Sequence, residues 1–373
     1  MGGIELTAAR VRAWRLRRQH LDGAERADGP VAAVRRLVGV QAQVPAAAAL
    51  AVALRTAPGA EPVAAALADG RLLRTWAQRG TLHLLDPATA ADALALIGSA
   101  RTWERPAWTR EFGATPAQVA QLVETVAELL HGTVLTREEL TAALAADPRF
   151  APLAEQLASG WGSLLKPLAW QGALCHAPAP GGRAAFTHPA SHCPDWPGLP
   201  PVEEAGPRLL AAYLGAYGPA DLARFDAWLS RNSLRKTVLK GFAAALGDRL
   251  TEVTVDGAPG YALTALLDDL AAAPPADSVH LLGAFDQYVL GPGTKAAELL
   301  PAAHRAKVSR AAGWIAPLLV VDGEITGTWE RDGDLLTVTP FGPAPAPSGE
   351  RLAAAAGRLA GPGEAAPTVR VAG

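Results

Sequence analysis

Sulfur chemistry has little foothold in this chain, where Cys175 and Cys193 are the only cysteines among 373 residues. That count excludes a disulfide framework and fits a reducing compartment, with both side chains expected as thiols. No apolar run approaches the roughly 20 residues a membrane span needs, and Met1 leads into arginine-rich sequence with no apolar leader. A soluble, cytoplasmic protein with no membrane partner is expected. Neither sign of charge dominates: the formal net charge is −2, which argues against a wholesale basic nucleic-acid binder and leaves local clusters to be read one by one. No Gly-rich phosphate loop, no H-E-x-x-H, no paired C-x-x-C and no G-x-S-x-G elbow stands where it would act, so most common enzyme chemistries go unsupported.

What is present is a repeated plan, in a chain with length for two or three domains. Three stretches each run from helices into a hairpin with a Gly- or Pro-rich tip, the order of elements in a winged helix. The middle copy is the clearest. "LTREELTAALAA" opens with Thr136 and Glu139 at capping-box spacing, "GWGSLLKPLAWQGAL" predicts a helix ending near Gly172, and "ALCHAPAPGGRAAFTHP" predicts two strands around a loop from Ala177 to Arg183. Downstream, residues 207–246 predict three helical segments before the hairpin "RLTEVTVDGAPGYAL", with Pro219 suited to the first turn of the second. At the N-terminus, helices over 7–20, 30–38 and 45–56 precede "RTWAQRGTLHLL", whose Gly80 marks a hairpin or bulge. From about residue 278, short β-type runs broken by Asp-Gly turns predict a small antiparallel sheet or barrel, followed by a terminal helix over "SGERLAAAAGRLAG" and a loose tail beyond Gly361. The expected class is α+β, with winged-helix units over 1–115, 116–200 and 201–277 and a C-terminal β-barrel with its helix over 278–373.

Several residue groups could carry chemistry. "TAARVRAWRLRRQHL" holds Arg10, Arg12, Arg15, Arg17 and Arg18, too many for one helix face at about 100° per residue. They are expected to fan around a solvated side, simply exposed or against phosphates. Arg79, Thr81 and His83 alternate along the first hairpin, which puts them on one face, either a surface for phosphates or a face packed on the N-terminal helices. Lys166 in the second unit and Arg235 with Lys236 in the third carry the same two readings. Cys175, His176, His188, His192 and Cys193 form the densest metal-like grouping, but adjacent Cys175 and His176 would point to opposite faces of a strand. No metal and no cofactor is expected.

Gln41 and Gln43, in "VGVQAQVPAAA", stand apart because of their setting. Residues two apart diverge by about 160° on a helix but share a face in extended chain. Pro45 disfavours helix at Val44 and suits the first turn of "PAAAALAVALRTA". Both amides are thus expected in an extended bend ahead of that helix, able to address one point. The pattern alone leaves open that they cap the neighbouring helices or lie exposed.

Taken in order, "LVGVQAQVP", "RTWAQRGTLHLL", "LTREEL", "WGSLLKPLAWQGALC", "YGPADLARF", "LLGAFDQYVLG" and "VDGEITGTWE" resemble the landmarks of the AlkZ-like winged-helix DNA glycosylases, which include resistance proteins against DNA-alkylating antibiotics. The resemblance spans most of the chain. It implies tandem winged helices in a concave arrangement with a C-terminal β-barrel, and it makes Gln41 and Gln43 the counterpart of the family's catalytic Gln-x-Gln motif. One arm of the family carries Asp at the second position, so Gln43 places the chain nearer the Gln-Gln arm associated with azinomycin self-resistance. The implied activity is monofunctional hydrolysis of the N-glycosidic bond of N7-alkylated purines in duplex DNA, with unhooking of interstrand crosslinks, by a monomer. An amide pair suits that chemistry: glutamine is no base near neutral pH, but its carbonyl oxygen can accept a hydrogen bond from a water and aim it. The competing readings are a non-catalytic winged-helix regulator, which would dimerise on a symmetric operator, and an interaction scaffold with no affinity for DNA.

Overall fold

Helix and sheet are mixed throughout the residues described by this computed structural model, which are 4–160, 162–178, 180–342, 346–361 and 364–372. Spatial proximity groups the chain into two units, one of Met1–Pro62, Ala211–Trp228 and Leu246–Gly373, the other of Val63–Leu210 and Leu229–Ala245. Each unit therefore gathers stretches that are distant in sequence.

In the first unit the continuous apolar runs of the C-terminal third become strands covered on both faces. Val279–Leu282, Leu318–Val321, Glu324–Asp332 and Leu335–Pro340 pair antiparallel in succession. Leu318 and Val320 join a core with Leu16, Leu54, Phe285 and Tyr288, while Leu319, Trp329, Leu336 and Val338 meet Leu352 and Ala356 of the helix Gly349–Gly357. The expected barrel is an open half-barrel among the described residues, and the tail expected to be loose supplies its last strand. Thr368–Val371 pairs parallel with Leu335–Val338. The helix Gly349–Gly357 makes this possible, because parallel neighbours need a crossover of a dozen or more residues. Pro362 and Gly363, within that tail, lie outside the described residues.

A second sheet in this unit joins Ile4–Leu6, parallel, to the expected hairpin of Leu250–Val255 and Ala258–Leu263. Pro219 does not open the helix Leu222–Ser230. Ala220 exchanges backbone hydrogen bonds with Tyr261, which keeps the chain extended there, and the Asp221 carboxylate accepts the Arg224 N–H at 2.6 Å as the helix starts.

The arginine-rich segment forms the helix Ala8–Arg18, in which Arg10 and Arg17 are exposed as expected but Arg12, Arg15 and Arg18 are not. Arg15 is 1% exposed and donates to the carbonyls of Gly218 and Pro219 and to Glu298. Arg12 donates to the Glu298 carbonyl at 2.8 Å, Arg18 to the Gly215 carbonyl at 2.9 Å, and Arg17 to Asp269 at 3.1 Å. The helix is packed on more than one side, so long side chains that the helical period spreads around it find backbone acceptors instead of water.

In the second unit the first and middle hairpins both form, and they share one sheet. Its order within the unit is Leu82–Leu85, Leu73–Trp76, Cys175–Ala177, Ala185–Thr187, Leu135–Thr136, each antiparallel to the next. Thr136 and Glu139 close the predicted capping box, with the Glu139 carboxylate accepting the Thr136 N–H at 2.7 Å. Val119, Leu122, Val126 and Leu130 line one stripe of the helix Pro116–Leu130 and pack on Leu168 and Phe186. Trp161 and Ala179, part of the predicted helix and wing loop, lie outside the described residues.

Glu298 sits between Arg15 and Arg224. Burial pushes its carboxyl pKa up, yet the two guanidiniums outweigh that and hold it below the usual 4.5. A pKa depressed in the folded state gives stability that is complete above the unfolded value and is lost as pH falls through the folded one. Glu298→Gln should therefore lose less stability than the parent as pH drops from neutral to about 3. Melting curves across that range test this, and equal losses in both proteins would contradict it.

Candidate active site

The glutamine segment follows a sharp reversal. The helix Pro30–Arg36 ends at Leu37, and the next two residues, Val38 at φ 52° and Gly39 at φ 102°, both adopt the left-handed region. Their N–H groups reach back to the Arg35 and Val34 carbonyls. Glycine takes this conformation freely, whereas a β-branched valine is strained there, and such strain persists only where surroundings fix it. Val40–Gln41 is then extended, Val44 sits at φ −113° and ψ 101°, and Pro45 is the first residue of the helix Pro45–Ala53. The local geometry around Pro45 is the one its ring restrictions predict.

The two amides sit in unlike surroundings. Gln41 is 7% exposed. Gln43, beyond buried Ala42, is exposed. A bend at Gln43 and Val44 interrupts the alternation that would have given both side chains the same burial. One amide is thus held within the protein and the other is open to an incoming molecule. Neither can deprotonate water appreciably; each can accept a hydrogen bond from it and donate one elsewhere.

The first hairpin differs from the expectation of one shared polar face. Arg79 lies in the tight turn Gln78–Gly80 at φ 57°, so strand alternation does not run through it. Thr81 is half-buried, its hydroxyl donating to the Gln78 carbonyl at 3.1 Å. His83 is 1% exposed, with Nδ1 donating to the Thr81 carbonyl at 3.0 Å. Burial, and then the nearby Arg79 charge, lower its pKa to about 3. His83 is therefore a neutral core residue and brings no charge to a phosphate.

Lys166 stands against the same turn. A Cβ on Gly80 would lie 3.9 Å from the Lys166 stem and 3.7 Å from the Trp170 ring. Burial and then Arg231 push the Lys166 pKa down. Arg231, which no sequence motif marks, is exposed and begins the loop that leads to the exposed Arg235 and Lys236 at the start of the helix Lys236–Leu246. Only proximity in space could have signalled it. Cys175 and Cys193 are buried thiols, burial lifting Cys193 to about 12 and Cys175 well above its ordinary value, so neither thiolate is at hand near neutral pH.

A second hairpin also escaped the sequence. Ser309 and Ile315 bridge antiparallel and the Arg310 N–H donates to the Trp314 carbonyl, so residues 310–314 form a tip in the first unit. Trp314 is 41% exposed there, with one edge against Phe285, and Arg305, Lys307 and Arg310 beside it are exposed.

Comparison with known proteins gives a consistent result. A family model described as DNA glycosylase AlkZ-like matches residues 34–361. An interstrand DNA cross-link repair glycosylase from Streptomyces sahachiroi is 50% identical over 344 residues, covering 92% of this chain and 91% of that protein. The solved structure of the Streptomyces sahachiroi DNA glycosylase AlkZ matches with a TM-score of 0.95 at 46% identity, over 99% of this chain and all of that one.

The burial of His83 has a measurable consequence. Its folded pKa of about 3 lies below the ordinary 6.5, so stability is complete above 6.5 and is lost as pH falls from there toward 3, because only the unfolded chain takes up the proton. His83→Asn should flatten the decline between those values when thermal melts are compared across pH. An unchanged slope would mean that the imidazole is already charged in the folded protein.

Proposed function

The chain belongs to the AlkZ-like DNA glycosylases, and from that premise we propose that it hydrolyses the N-glycosidic bond of N7-alkylated purine nucleotides in duplex DNA, releasing interstrand crosslinks of the kind its Streptomyces relative is named for. In this reading it acts as a monomer in the cytoplasm, within repair of, or self-resistance to, a DNA-alkylating antibiotic. The observation that carries it is the pair Gln41 and Gln43, one buried and one exposed, immediately ahead of a proline-initiated helix.

The chemistry asks little of the protein. A guanine alkylated at N7 is already cationic, so the base leaves without an enzymatic acid. What remains is to place a water beneath a sugar acquiring oxocarbenium character, and two amides can orient that water without removing its proton first. No lysine is assigned to a Schiff base, so strand cleavage is not part of the reaction. A crosslinked base cannot be flipped into an enclosed pocket, because the opposite strand holds it, which favours an open binding surface.

The three helix-then-hairpin stretches are read as winged helices that grip phosphates. Arg79, Thr81, Lys166, Arg235 and Lys236 are assigned to that grip, joined by Arg231. The exposed Trp314, with Arg305, Lys307 and Arg310, offers a ring to a base and charge to the backbone on either side of it.

Two outcomes are expected. Duplex DNA carrying one N7-methylguanine should acquire an alkali-labile abasic site on incubation with the protein. Gln41→Ala and Gln43→Ala should each slow single-turnover excision on the order of 10²-fold with DNA affinity and melting near those of the parent. The double variant should be little worse than either single, since a misplaced water cannot be misplaced twice. Wild-type rates in both single variants would remove the amides from the mechanism. Separately, Lys236→Ala should reduce the slope of log affinity against log salt by about 1. An unchanged slope would take that residue off the phosphate-binding surface.

A further inference from the structure

We propose that the segment Asp286–Gly291 positions the glutamine segment from both ends, with Arg55 and Tyr217 as its intermediaries; this rests on the reading that Gln41 and Gln43 aim a water. The downstream hold begins with the helix Pro45–Ala53, whose nine residues span about 13 Å. Arg55, just beyond it, is fully buried. Its guanidinium donates to the Ala51 carbonyl at 2.7 Å and, through two nitrogens, to both oxygens of Asp286 at 2.9 and 2.7 Å. Halfway along the same helix, Leu50 packs so closely on Gly283 that a Cβ there would lie 3.0 Å from its side chain. The helix that starts two residues after Gln43 is therefore fixed at its middle and its far end.

The upstream hold is a single hydroxyl. Tyr217 is fully buried, and its OH donates to the Leu37 carbonyl at 2.5 Å, at the end of the helix that leads into Val38, Gly39 and Gln41. The Tyr217 ring lies directly on Gly291, where a Cβ would come within 2.1 Å of it. Tyr213 donates to the Gly291 carbonyl at 3.2 Å from the same helix.

Both intermediaries thus meet one short run, and that run is stiff. Asp286 accepts the Tyr288 N–H at 2.8 Å, the Leu290 N–H reaches the Asp286 carbonyl, and the Gly291 N–H reaches the Gln287 carbonyl. The distance between the two holds is set by a turn of helix that cannot stretch. Aiming a water is sensitive to such a frame, because a displacement of about 1 Å can cost on the order of 10²-fold in rate. A buried ion pair is also a directional fastening that stability alone does not require, since apolar replacements of both partners are often neutral.

Tyr217→Phe keeps the ring on Gly291 and removes only the hydroxyl. On duplex containing one N7-methylguanine, it should slow single-turnover excision about 10-fold with nearly unchanged DNA affinity and a modestly lower melting temperature, since the Leu37 carbonyl loses its donor. Combined with Gln41→Ala it should add little further slowing, because a hold that acts through the amide has nothing left to position; a merely structural role predicts multiplied effects. Arg55→Met with Asp286→Leu removes both charges together and should fold, yet excise on the order of 10²-fold more slowly. Wild-type rates in Tyr217→Phe, or multiplied effects in its combination with Gln41→Ala, would overturn the proposal. Gln41→Ala alone, run in parallel, keeps the two readings apart. If it is slow while Tyr217→Phe is normal, only the positioning fails; if Gln41→Ala is itself normal, the water-aiming reading falls and this proposal with it.

Discussion

The first unit depends on one ion pair that has left water altogether. Arg55 and Asp286 are both 0% exposed. Desolvating them costs several kcal/mol per ion, by order of magnitude, and only close geometry with further hydrogen bonds to the charged groups offsets it. Two parallel hydrogen bonds between the charges, the Ala51 carbonyl on the guanidinium and the Tyr288 N–H on the carboxylate supply that geometry. Removing either partner alone would strand the other charge at a cost of about 3–5 kcal/mol, a large part of the roughly 5–15 kcal/mol net stability of a domain. The helix behind the glutamines and the turn at Asp286 are accordingly a single mechanical piece, and the core of Leu16, Leu54, Leu282 and Phe285 closes around it.

Burial likewise separates the basic residues that tie elements together from those on the surface. Arg12, Arg15 and Arg18 donate to backbone carbonyls at helix ends and turns, tying the first helix to segments some 200 residues or more away in sequence. They are mortar. Exposed cations include Arg231, Arg235 and Lys236 in one unit and Arg305, Lys307 and Arg310 in the other. With a formal net charge of −2, attraction to a polyanion must come from such local clusters and not from the molecule as a whole.

Backbone strain occurs beside these features, as it does at several other turns of the chain. Val38 and Phe285 both hold positive φ, the first three residues before Gln41 and the second next to Asp286. In the proposed reaction the amides only orient a water and no strong base compensates for loose geometry, so a rigid support suits that chemistry.

Local rules made much of this legible in the sequence. Thr136 with Glu139, Pro45 after Val44 and the paired strands around the Asp-Gly turns each follow from contacts a few residues long, and each appears in the structure where spacing puts it. So did the candidate motif, because proline restricts its neighbours irrespective of the rest of the chain. Pairing across distance was not legible: the tail strand Thr368–Val371, the sheet shared by two hairpins, the burial of Arg15 and His83 and the turn that separates Gln41 from Gln43 in exposure all depend on partners remote in sequence. Nothing at Arg55 or Asp286 alone announces an ion pair, since a charged side chain reads as solvated until tertiary structure removes the water and supplies its counterpart 231 residues away.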